Sequence, residues 1–487
     1  MMPTVAAIVD GARCPSEPAN LAGMVSSIEK GLPANESPSN ALISLAPTAW
    51  SRADEQMRVA HIGTGSMFGV PILLKDNIET RDMPTTAGSL ALVDNAPGRD
   101  APLVARLREA GAVILGKTNL SEWANIRSSN SISGWSAVGG QTRNPYDPER
   151  TPCGSSAGSA VAVAIGLAPA AIGTETNGSI VCPASVNGVV GFKPTVGLVS
   201  RTHIVPISHS QDTAGPITTT VEDAAIVLTV IAGSDPLDPA TVEADVRKVD
   251  YRAALDANSL HGTRIGVMRF LLANYSAETR AVFETNLQAL RDAGAELVDI
   301  TEGPDMRAIS TAAFQVLMTE LKVDLNAYLA STDPEQVPTR TLADVIAFNA
   351  AEPRETVLFG QELFLQAEAT KGLDDPDYIE ARATSLRMAG PEGIDRMMAQ
   401  NRVVALIAPT TSRAWTNDPN DDDRSQGSSS SLAAVAGYPH LTVPMGFDRG
   451  MPVGISFIGG KWDDARILSL GFAYEQKTHA RRPPTVP

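Results

Sequence analysis

Two short turns rich in glycine and serine contain the residue types that attack a carbonyl carbon. Both lie between residues 152 and 196, where a segment of small residues and an apolar segment separate Ser155 from Ser179. Small residues let backbone N–H groups approach a ligand closely, as an oxyanion-binding site requires. A serine hydroxyl also needs a base that takes its proton before it can act as a nucleophile. The turns therefore predict acyl-transfer chemistry, provided that the fold supplies a base.

Lys75 is the candidate base. It follows the apolar segment 69–74, and a lysine in such surroundings is either at the surface or buried and uncharged. The histidines show no metal-ligand spacing such as HExxH and are interpreted as surface or structural residues; they are His61, His203, His209, His261, His440 and His479. With two serine turns and no suitable histidine, a neutral lysine is the better hypothesis for the base.

Three other motif matches fail in their sequence context. Gly111 to Thr118 fits a phosphate-binding loop, but such a loop follows a strand and opens a helix, whereas a helix is predicted before this segment and a strand within it. Gly154 to Gly158 fits the nucleophile elbow of α/β-hydrolases, with His440 or His479 as base, but no strand is predicted in front of it. Asp418 to Asp423 resembles a calcium loop without its turn glycine and bidentate glutamate, which favours a solvated loop.

The cysteines do not predict a disulfide framework or a metal site. Cys14, Cys153 and Cys182 are few and scattered, and they form neither a CxxC pair nor a Cys/His cluster with zinc spacing. Cys153 and Cys182 lie close in sequence to the two serines but have no partner histidine. They are interpreted as small buried packing residues, so that nothing here requires an oxidising compartment.

The residues around the two turns predict strands and helices in alternation. Strand patterns occur at 69–74, 112–115, 264–269, 296–300, 403–408, 440–444 and 452–457. Helix patterns lie between many of them, including 102–110, which Gly111 ends, 278–293 and 464–476. Such alternation predicts an α/β fold with a large, mostly parallel sheet.

Three segments depart from this alternation. Residues 235–262 are charged and rich in turn formers. Residues 305–400 have helix patterns without strand signals, and they are interpreted as a mainly helical insertion that packs on the sheet. Residues 416–431 are a polar loop of low complexity.

Composition favours a globular protein and argues against nucleic-acid and membrane partners. The 487 residues are 43% hydrophobic and 19% charged, enough for a sizeable core, and a formal charge of −16 would repel phosphate backbones and anionic membranes. The uncharged segment 154–174 is interrupted by Pro169, which favours a buried helix over a bilayer span. Residues 1–14 lack the features of a signal peptide, but a processed chain would look the same, so cytoplasm and periplasm both stay open.

These motifs resemble the amidase signature family. The resemblance rests on VPILLKDN around Lys75, CGSSAGSA around Ser155, GTETNGSIVCPAS around Ser179, and GVVGFKPTVGLVS after it. Within the family the chain is most similar to the peptide amidases, through PTTAGSLAL at 84–92, GKTNLSEWANIRSSNSISGWS at 116–136 and SSSSLAAVAGYPHLTVPMG at 428–446.

The resemblance implies a fold, a reaction and site residues. The fold would be one large domain over residues 1–487, with a twisted, mixed, mostly parallel sheet covered by helices on both faces. Lys75 would be the base, Ser155 a bridging serine on a cis peptide bond, and Ser179 the nucleophile of an acyl-enzyme. The oxyanion hole would consist of backbone N–H groups of Thr176, Asn177, Gly178 and Ser179. The reaction would hydrolyse a carboxamide, above all the C-terminal amide of a peptide, to acid and ammonia without a metal or organic cofactor.

Some residues depart from the family pattern, and some alternatives stay open. Ala157 and Asn177 occupy positions that are commonly glycine, and Val181 and Cys182 replace a frequent Arg-Ile pair. Because asparagine tolerates left-handed backbone geometry, the turn at Asn177 is still expected to form. The departures bear on substrate preference. The alternatives are an acylamidase, a subunit of an amidotransferase, and a binding protein with a defunct amidase cleft, and the natural substrate and oligomeric state are left open.

Overall fold

An eleven-stranded mixed sheet forms the centre of the fold. The structure is a computed structural model and describes residues 2–10, 39–46, 66–417 and 427–485. Its strands are β1 (Leu42–Leu45), β2 (Pro71–Lys75), β3 (Val113–Thr118), β4 (Trp135–Ser136), β5 (Gly140–Gln141), β6 (Ala170–Glu175), β7 (Val190–Lys193), β8 (Thr213–Thr218), β9 (Arg264–Met268), β10 (Glu296–Ile300), β11 (Ala405–Pro409), β12 (His440–Asp448) and β13 (Met451–Ile458). The sheet order is β1-β3-β2-β6-β8-β7-β12-β13-β11-β9-β10, and β4 and β5 form a separate ribbon.

The sheet is mixed, as expected, but it is less parallel than the sequence predicted. Within the sheet, the pairs in β3-β2-β6 and in β11-β9-β10 are parallel. The pair β1-β3 and all pairs along the central run β6-β8-β7-β12-β13-β11 are antiparallel. Part of the reason is the two-residue turn Arg449-Gly450 between β12 and β13, in which both residues have positive φ. Such a turn joins antiparallel strands only, and a count of alternating elements does not detect it.

Helices surround the sheet. They are α1 (Val5–Val9), α2 (Pro102–Glu109), α3 (Ala157–Ala164), α4 (Val181–Val186), α5 (Val221–Ile231), α6 (Ala244–Arg247), α7 (Ala277–Asp292), α8 (Met306–Ala330), α9 (Leu342–Ala351), α10 (Pro353–Thr356), α11 (Glu362–Glu368), α12 (Pro376–Ala389), α13 (Arg396–Asn401), α14 (Ser430–Ala436) and α15 (Asp464–Thr478). Every residue of β2, β3, β6, β7, β8, β11 and β13 is buried. Strands buried at all positions require cover on both faces, which confirms the predicted layering.

Most predicted elements occur within a few residues of their expected bounds. Strand β10 has the predicted bounds, and Gly111 ends α2 with a left-handed backbone (φ 90°). Residues 306–401 are mainly helical, with α8 to α13 and no strand, although their status as an insertion stays a prediction. The uncharged segment 154–174 contains α3 and part of β6. Among the described residues, no helix has the length and apolar character needed to cross a bilayer.

The small residues of α3 allow it to pack directly on the backbone of neighbouring segments. All eight residues of this helix are buried. A Cβ atom at Gly158 would lie 2.3 Å from the carbonyl oxygen of Ala41 and 2.5 Å from that of Asn119. The Gly158 N–H group also donates to the Asn119 carbonyl at 2.9 Å. Glycine is therefore required here, and its close contact sets the position of the turn that precedes α3.

We expect Gly158→Ala to destabilise the protein, because neither the Ala41 nor the Asn119 backbone can move without disturbing β1 or β3. The expected loss is ~1–3 kcal/mol in the free energy of unfolding, the range for overpacking, measured by denaturant unfolding. Gly360→Ala is the control, because Gly360 is exposed and only the end of the Glu362 side chain, 3.3 Å away, faces its Cβ position. Equal stability of the two variants would contradict the role given to Gly158.

Candidate active site

Three segments meet at the carboxyl ends of two neighbouring parallel strands. Strand β2 ends at Lys75, and β6 ends at Glu175 just before the turn that contains Ser179. The two strands are paired in parallel, with Leu74 opposite Ile172, so that both ends lie at the same edge of the sheet. Helix α3 packs against β2 and β6, and Ser155 lies in the turn before it. The sheet thus brings together all three residues predicted for the relay.

Lys75 is bound to the first serine turn and to β6. Its Nζ atom donates to Ser155 Oγ at 2.7 Å, to Thr174 Oγ1 at 2.8 Å and to the Thr174 carbonyl at 3.2 Å. Asn77 Nδ2 donates to the same Thr174 hydroxyl at 3.0 Å. None of the three acceptors is charged, so the ammonium form of Lys75 has no directly bonded counter-ion.

Burial controls the protonation state of Lys75. Its side chain has no exposed surface, and this burial lowers the pKa of the amine from 10.5 to about 7, because the charged form loses its hydration. The carboxylates of Asp212 and Glu175 oppose the shift but do not cancel it. A substantial fraction of Lys75 is therefore neutral near pH 7, as a base must be.

The turn before α3 contains two buried serines with different hydrogen-bond partners. Ser155 is buried, its preceding peptide bond is cis, and its carbonyl accepts a hydrogen bond from Ser121 N at 3.0 Å. Ser156 Oγ donates to the Thr174 carbonyl at 3.1 Å and accepts from Thr174 N at 3.2 Å. Because these bonds occupy its hydroxyl in the core, Ser156 holds the turn against β6.

His440 does not act as a base for either serine turn. It is buried, its Nε2 atom lies 2.6 Å from Ser456 Oγ, and burial lowers its pKa to about 3. The alternative of a nucleophile elbow at Gly154 to Gly158 therefore loses its base on strand β12. The acidic run Asp418 to Asp423, Cys14 and His61 lie outside the described residues.

The turn around Ser179 exposes backbone donors at the end of β6. Within the described residues, the N–H groups of Asn177, Gly178 and Ser179 donate to no protein acceptor, so they are free to bind an oxyanion. Gly178 has the left-handed backbone in this turn (φ 85°), whereas Asn177 does not. The turn forms with Asn177 in place, as expected, and the left-handed position in it belongs to the neighbouring glycine.

Two sets of hydrogen bonds orient the Ser179 turn. Ser156 N donates to the Ser179 carbonyl at 3.1 Å, which joins the two serine turns. Glu175 Oε2 accepts from Ile180 N at 2.7 Å and from Val181 N at 3.0 Å, which ties the start of α4 to the end of β6. Ser179 itself is half-buried. A direct bond between the Ser155 and Ser179 hydroxyls is not among the hydrogen bonds of the described residues.

Sequence reasoning missed two polar groups that hold this turn from outside. Asn177 Oδ1 accepts from Ser430 Oγ at 2.7 Å, so the end of the predicted polar loop 416–431 forms a wall of the site. Thr176 Oγ1 donates to Asp212 Oδ1 at 2.5 Å, and the other oxygen of Asp212 accepts from the N–H groups of residues 207 and 208. Loss of bulk water raises the pKa of Asp212 to about 6. The run SSSS at 428–431 was a usable signal, whereas a single aspartate gave none.

The interpretation of Cys153 and Cys182 as unlinked packing residues was wrong. They form a disulfide between the turn before α3 and helix α4. They are 29 residues apart in sequence, and only the convergence of the two turns brings them together. Cys153 does lie in a small apolar cluster with Val186, Ala414 and Met451, so the expectation of burial was correct for that residue.

A cavity borders the Thr176 side of the site. It has a volume of about 430 Å³ and is lined in part by Asn77, Thr174, Thr176, Asp212 and His209. His209 and Asp324 line this cavity, and together with Glu320 they bring possible metal ligands within 4.8 Å of one another, the one such group among the described residues. His209 Nδ1 already lies 3.0 Å from Asp324, whose hydrogen bond raises the histidine pKa, and Glu320 accepts from Tyr378 Oη at 2.8 Å. These contacts fit an ion-paired histidine.

Comparison with known proteins identifies the family. The family model described as Amidase matches residues 31–468. The chain belongs to the amidase family. The crystal structure of native peptide amidase from Stenotrophomonas maltophilia is 49% identical, with a TM-score of 0.89 over 99% of this chain and 96% of that chain. The chain is therefore an amide-hydrolysing enzyme, which confirms the resemblance drawn from its motifs.

Curated relatives include amidases and subunits of an amidotransferase. A probable amidase of Arabidopsis thaliana is 40% identical over 428 residues, which cover 86% of this chain and 78% of the relative. A glutamyl-tRNA(Gln) amidotransferase subunit of Roseiflexus castenholzii is 38% identical over 448 residues, which cover 89% of this chain and 88% of the relative.

We expect Glu175→Ala to reduce both stability and amidase activity, because the N–H groups of Ile180 and Val181 would lose their shared acceptor inside the protein. An unpaired buried donor costs ~1–3 kcal/mol, which denaturant unfolding can measure. Glu175→Gln is the matched control, because its amide oxygen can still accept and most of the stability should return. A Glu175→Ala protein with unchanged stability and kcat would show that the carboxylate does not hold the turn.

Proposed function

We propose that this amidase hydrolyses the C-terminal amide of peptides to a free carboxylic acid and ammonia, by a relay from Ser179 through Ser155 to Lys75. The observation that carries the proposal is the buried amine of Lys75, which has a pKa lowered to about 7 and lies 2.7 Å from Ser155 Oγ. The backbone hydrogen bond from Ser156 N to the Ser179 carbonyl, which joins the two serine turns, also supports the proposal.

The reaction begins with neutral Lys75. Lys75 takes the proton of Ser155 while Ser155 takes that of Ser179, and Ser179 Oγ attacks the carboxamide carbon. The N–H groups from Thr176 to Ser179 bind the tetrahedral oxyanion. The proton then returns through the relay to the leaving nitrogen, and ammonia departs. Water hydrolyses the acyl-enzyme by the same relay in reverse, which releases the acid and restores Ser179.

The preference for peptide amides is supported by the similarity to peptide amidase over nearly the whole chain. A site closed around a primary amide has no room for a chain beyond the nitrogen, so internal peptide bonds would survive. The second candidate is a role within an amidotransferase complex, which the relative from Roseiflexus castenholzii favours. Such a protein works together with partner chains, whereas the proposed enzyme is active as a single chain.

The purified chain alone should release ammonia from a peptide amide such as benzyloxycarbonyl-Gly-Tyr-NH2, and mass spectra should show the free acid with its internal bonds intact.

A fluorophosphonate should label one serine, which peptide mapping should place at Ser179, and Ser179→Ala should abolish both labelling and turnover. Label on Ser156 would revive the nucleophile elbow. Cleavage of internal bonds would refute the substrate class, and absence of ammonia without partner chains would favour the amidotransferase role.

We expect kcat/KM to rise with pH through one ionisation near pH 7 and to level off above it, because only the neutral form of Lys75 accepts a proton. Lys75→Ala should lose this limb and at least ~10²-fold in kcat/KM, the lower range for general acid–base catalysis. Ser155→Ala should lose a similar factor, and the double variant should be scarcely worse, because the residues act as a unit. Near-normal kcat/KM in Ser155→Ala would show that Lys75 reaches Ser179 without a bridge.

The position of the pH limb has its own control. The negative charge of Asp212 favours the protonated form of Lys75, so Asp212→Asn should move the limb to lower pH. Asp223 is another carboxylate whose pKa burial raises to about 6, but it accepts from Ala6 N at the start of the chain. Asp223→Asn should therefore leave the limb in place. An equal shift in both variants would mean that this part of the pH profile does not report the ionisation of Lys75.

A further inference from the structure

The Cys153–Cys182 disulfide joins the two halves of the proposed relay. Cys153 stands two residues before Ser155, and Cys182 stands three residues after Ser179, in the first turn of α4. The bond therefore connects the segment of the bridging serine to the segment of the nucleophile close to both hydroxyls. It is the covalent cross-link of this site, and the mechanism described above does not use it.

The other links between the two serine turns are hydrogen bonds and the contact between α3 and α4. Ser156 N donates to the Ser179 carbonyl at 3.1 Å, and Asn187 Nδ2 donates to the Pro152 carbonyl at 2.9 Å. Each is a single hydrogen bond, which can lengthen by several tenths of an ångström at little cost, whereas a covalent bond cannot.

Proton transfer between two hydroxyls is sensitive to that distance. A relay needs heavy atoms within about 2.6–3.2 Å, and a misplacement of about 1 Å costs on the order of 10²-fold in rate. Lys75 and Ser155 are held by Thr174 and Ser121, which belong to β6 and to the segment after β3. The separation of the Ser155 turn and the Ser179 turn depends in part on β6, to which Ser156 and the start of α4 are bonded, and the disulfide is the covalent link between the two turns.

We propose that the Cys153–Cys182 disulfide is a positioning device that fixes the separation of the Ser155 turn and the Ser179 turn, so that turnover depends on its oxidation state. The proposal rests on the function proposed above. Reduction by a dithiol balances as two electrons and two protons: the bond between the two sulfur atoms breaks, two cysteine thiols form, and the dithiol closes to its own disulfide. Cys182 is half-buried, so a small dithiol has a point of attack.

The test compares oxidised enzyme, enzyme reduced with dithiothreitol, and the double variant C153S/C182S, with kcat, KM, thermal midpoint and the rate of fluorophosphonate labelling of Ser179 as measurements. Assays run well below the thermal midpoint of each sample. Reduction should lower kcat and the labelling rate by ~10- to ~100-fold, the effect of a sub-ångström to one-ångström misplacement, while KM changes little. Reoxidation of the wild type should restore both rates, which a loss through misfolding would not allow.

Two controls and one replacement variant keep the test decisive. Cys14→Ser should respond to reduction like the wild type, which excludes exchange with the third cysteine. Thr220→Ala removes the N-cap of α5 and lowers stability away from the relay, so its kcat below the thermal midpoint should be unchanged. If C153S/C182S does not fold, Cys153→Ala combined with Cys182→Val replaces it and keeps the neighbouring apolar cluster filled.

The outcomes separate this proposal from the one on which it rests. The positioning role would be overturned if folded protein that lacks the disulfide has the same kcat and labelling rate as the oxidised enzyme. If kcat falls only in proportion to stability, and Thr220→Ala shows the same relation, the disulfide is a structural cross-link. That result would also overturn the positioning role. Failure of the oxidised wild type to be labelled at Ser179 would refute the proposed function itself.

Discussion

The burial of one lysine amine is the constraint on which the rest of the site depends. Lys75 has no exposed surface, and its pKa falls to about 7 because the ammonium form loses hydration. Its bonded partners are two hydroxyls and a carbonyl, none of which carries a charge. A carboxylate bonded directly to Nζ would hold the proton on the amine. The nearby acids instead bond elsewhere, Glu175 to the backbone of α4 and Asp212 to Thr176 and its own loop.

Two other buried lysines show why burial alone does not make a base. On the neighbouring strand β3, Lys117 Nζ lies 3.1 Å from Asp76 Oδ1, so this lysine has a carboxylate as its direct partner. On β7, Lys193 has a pKa lowered to about 8 by burial, but its Nζ donates to the Pro194 carbonyl rather than to a nucleophile. Only Lys75, of these three, contacts a serine hydroxyl beside a turn with free backbone donors.

Close packing of small residues makes this arrangement possible. Helix α3 has a glycine in backbone contact with Ala41 and Asn119, and the Ser179 turn uses a left-handed glycine next to Ser430. Glu175 holds the turn through the backbone of Ile180, and two segments remote in sequence also hold it, Asp212 through Thr176 and Ser430 through Asn177. Positioning is therefore distributed over several strands and loops, whereas the proposed chemistry needs few atoms.

The sequence by itself determined which residue types are available for chemistry in this protein. Serine turns with small neighbours, a lysine after an apolar strand and the family motifs depend on local composition and spacing, and so do the bounds of elements such as β10 and α2. Tertiary structure alone decided what depends on contact between distant segments. It decided which of the buried lysines has uncharged partners, that the centre of the sheet is antiparallel, that Asp212 and Ser430 brace the turn, and that Cys153 meets Cys182. Burial and pairing are properties of the folded chain, because a side chain loses hydration or gains a partner only when remote backbone is brought against it.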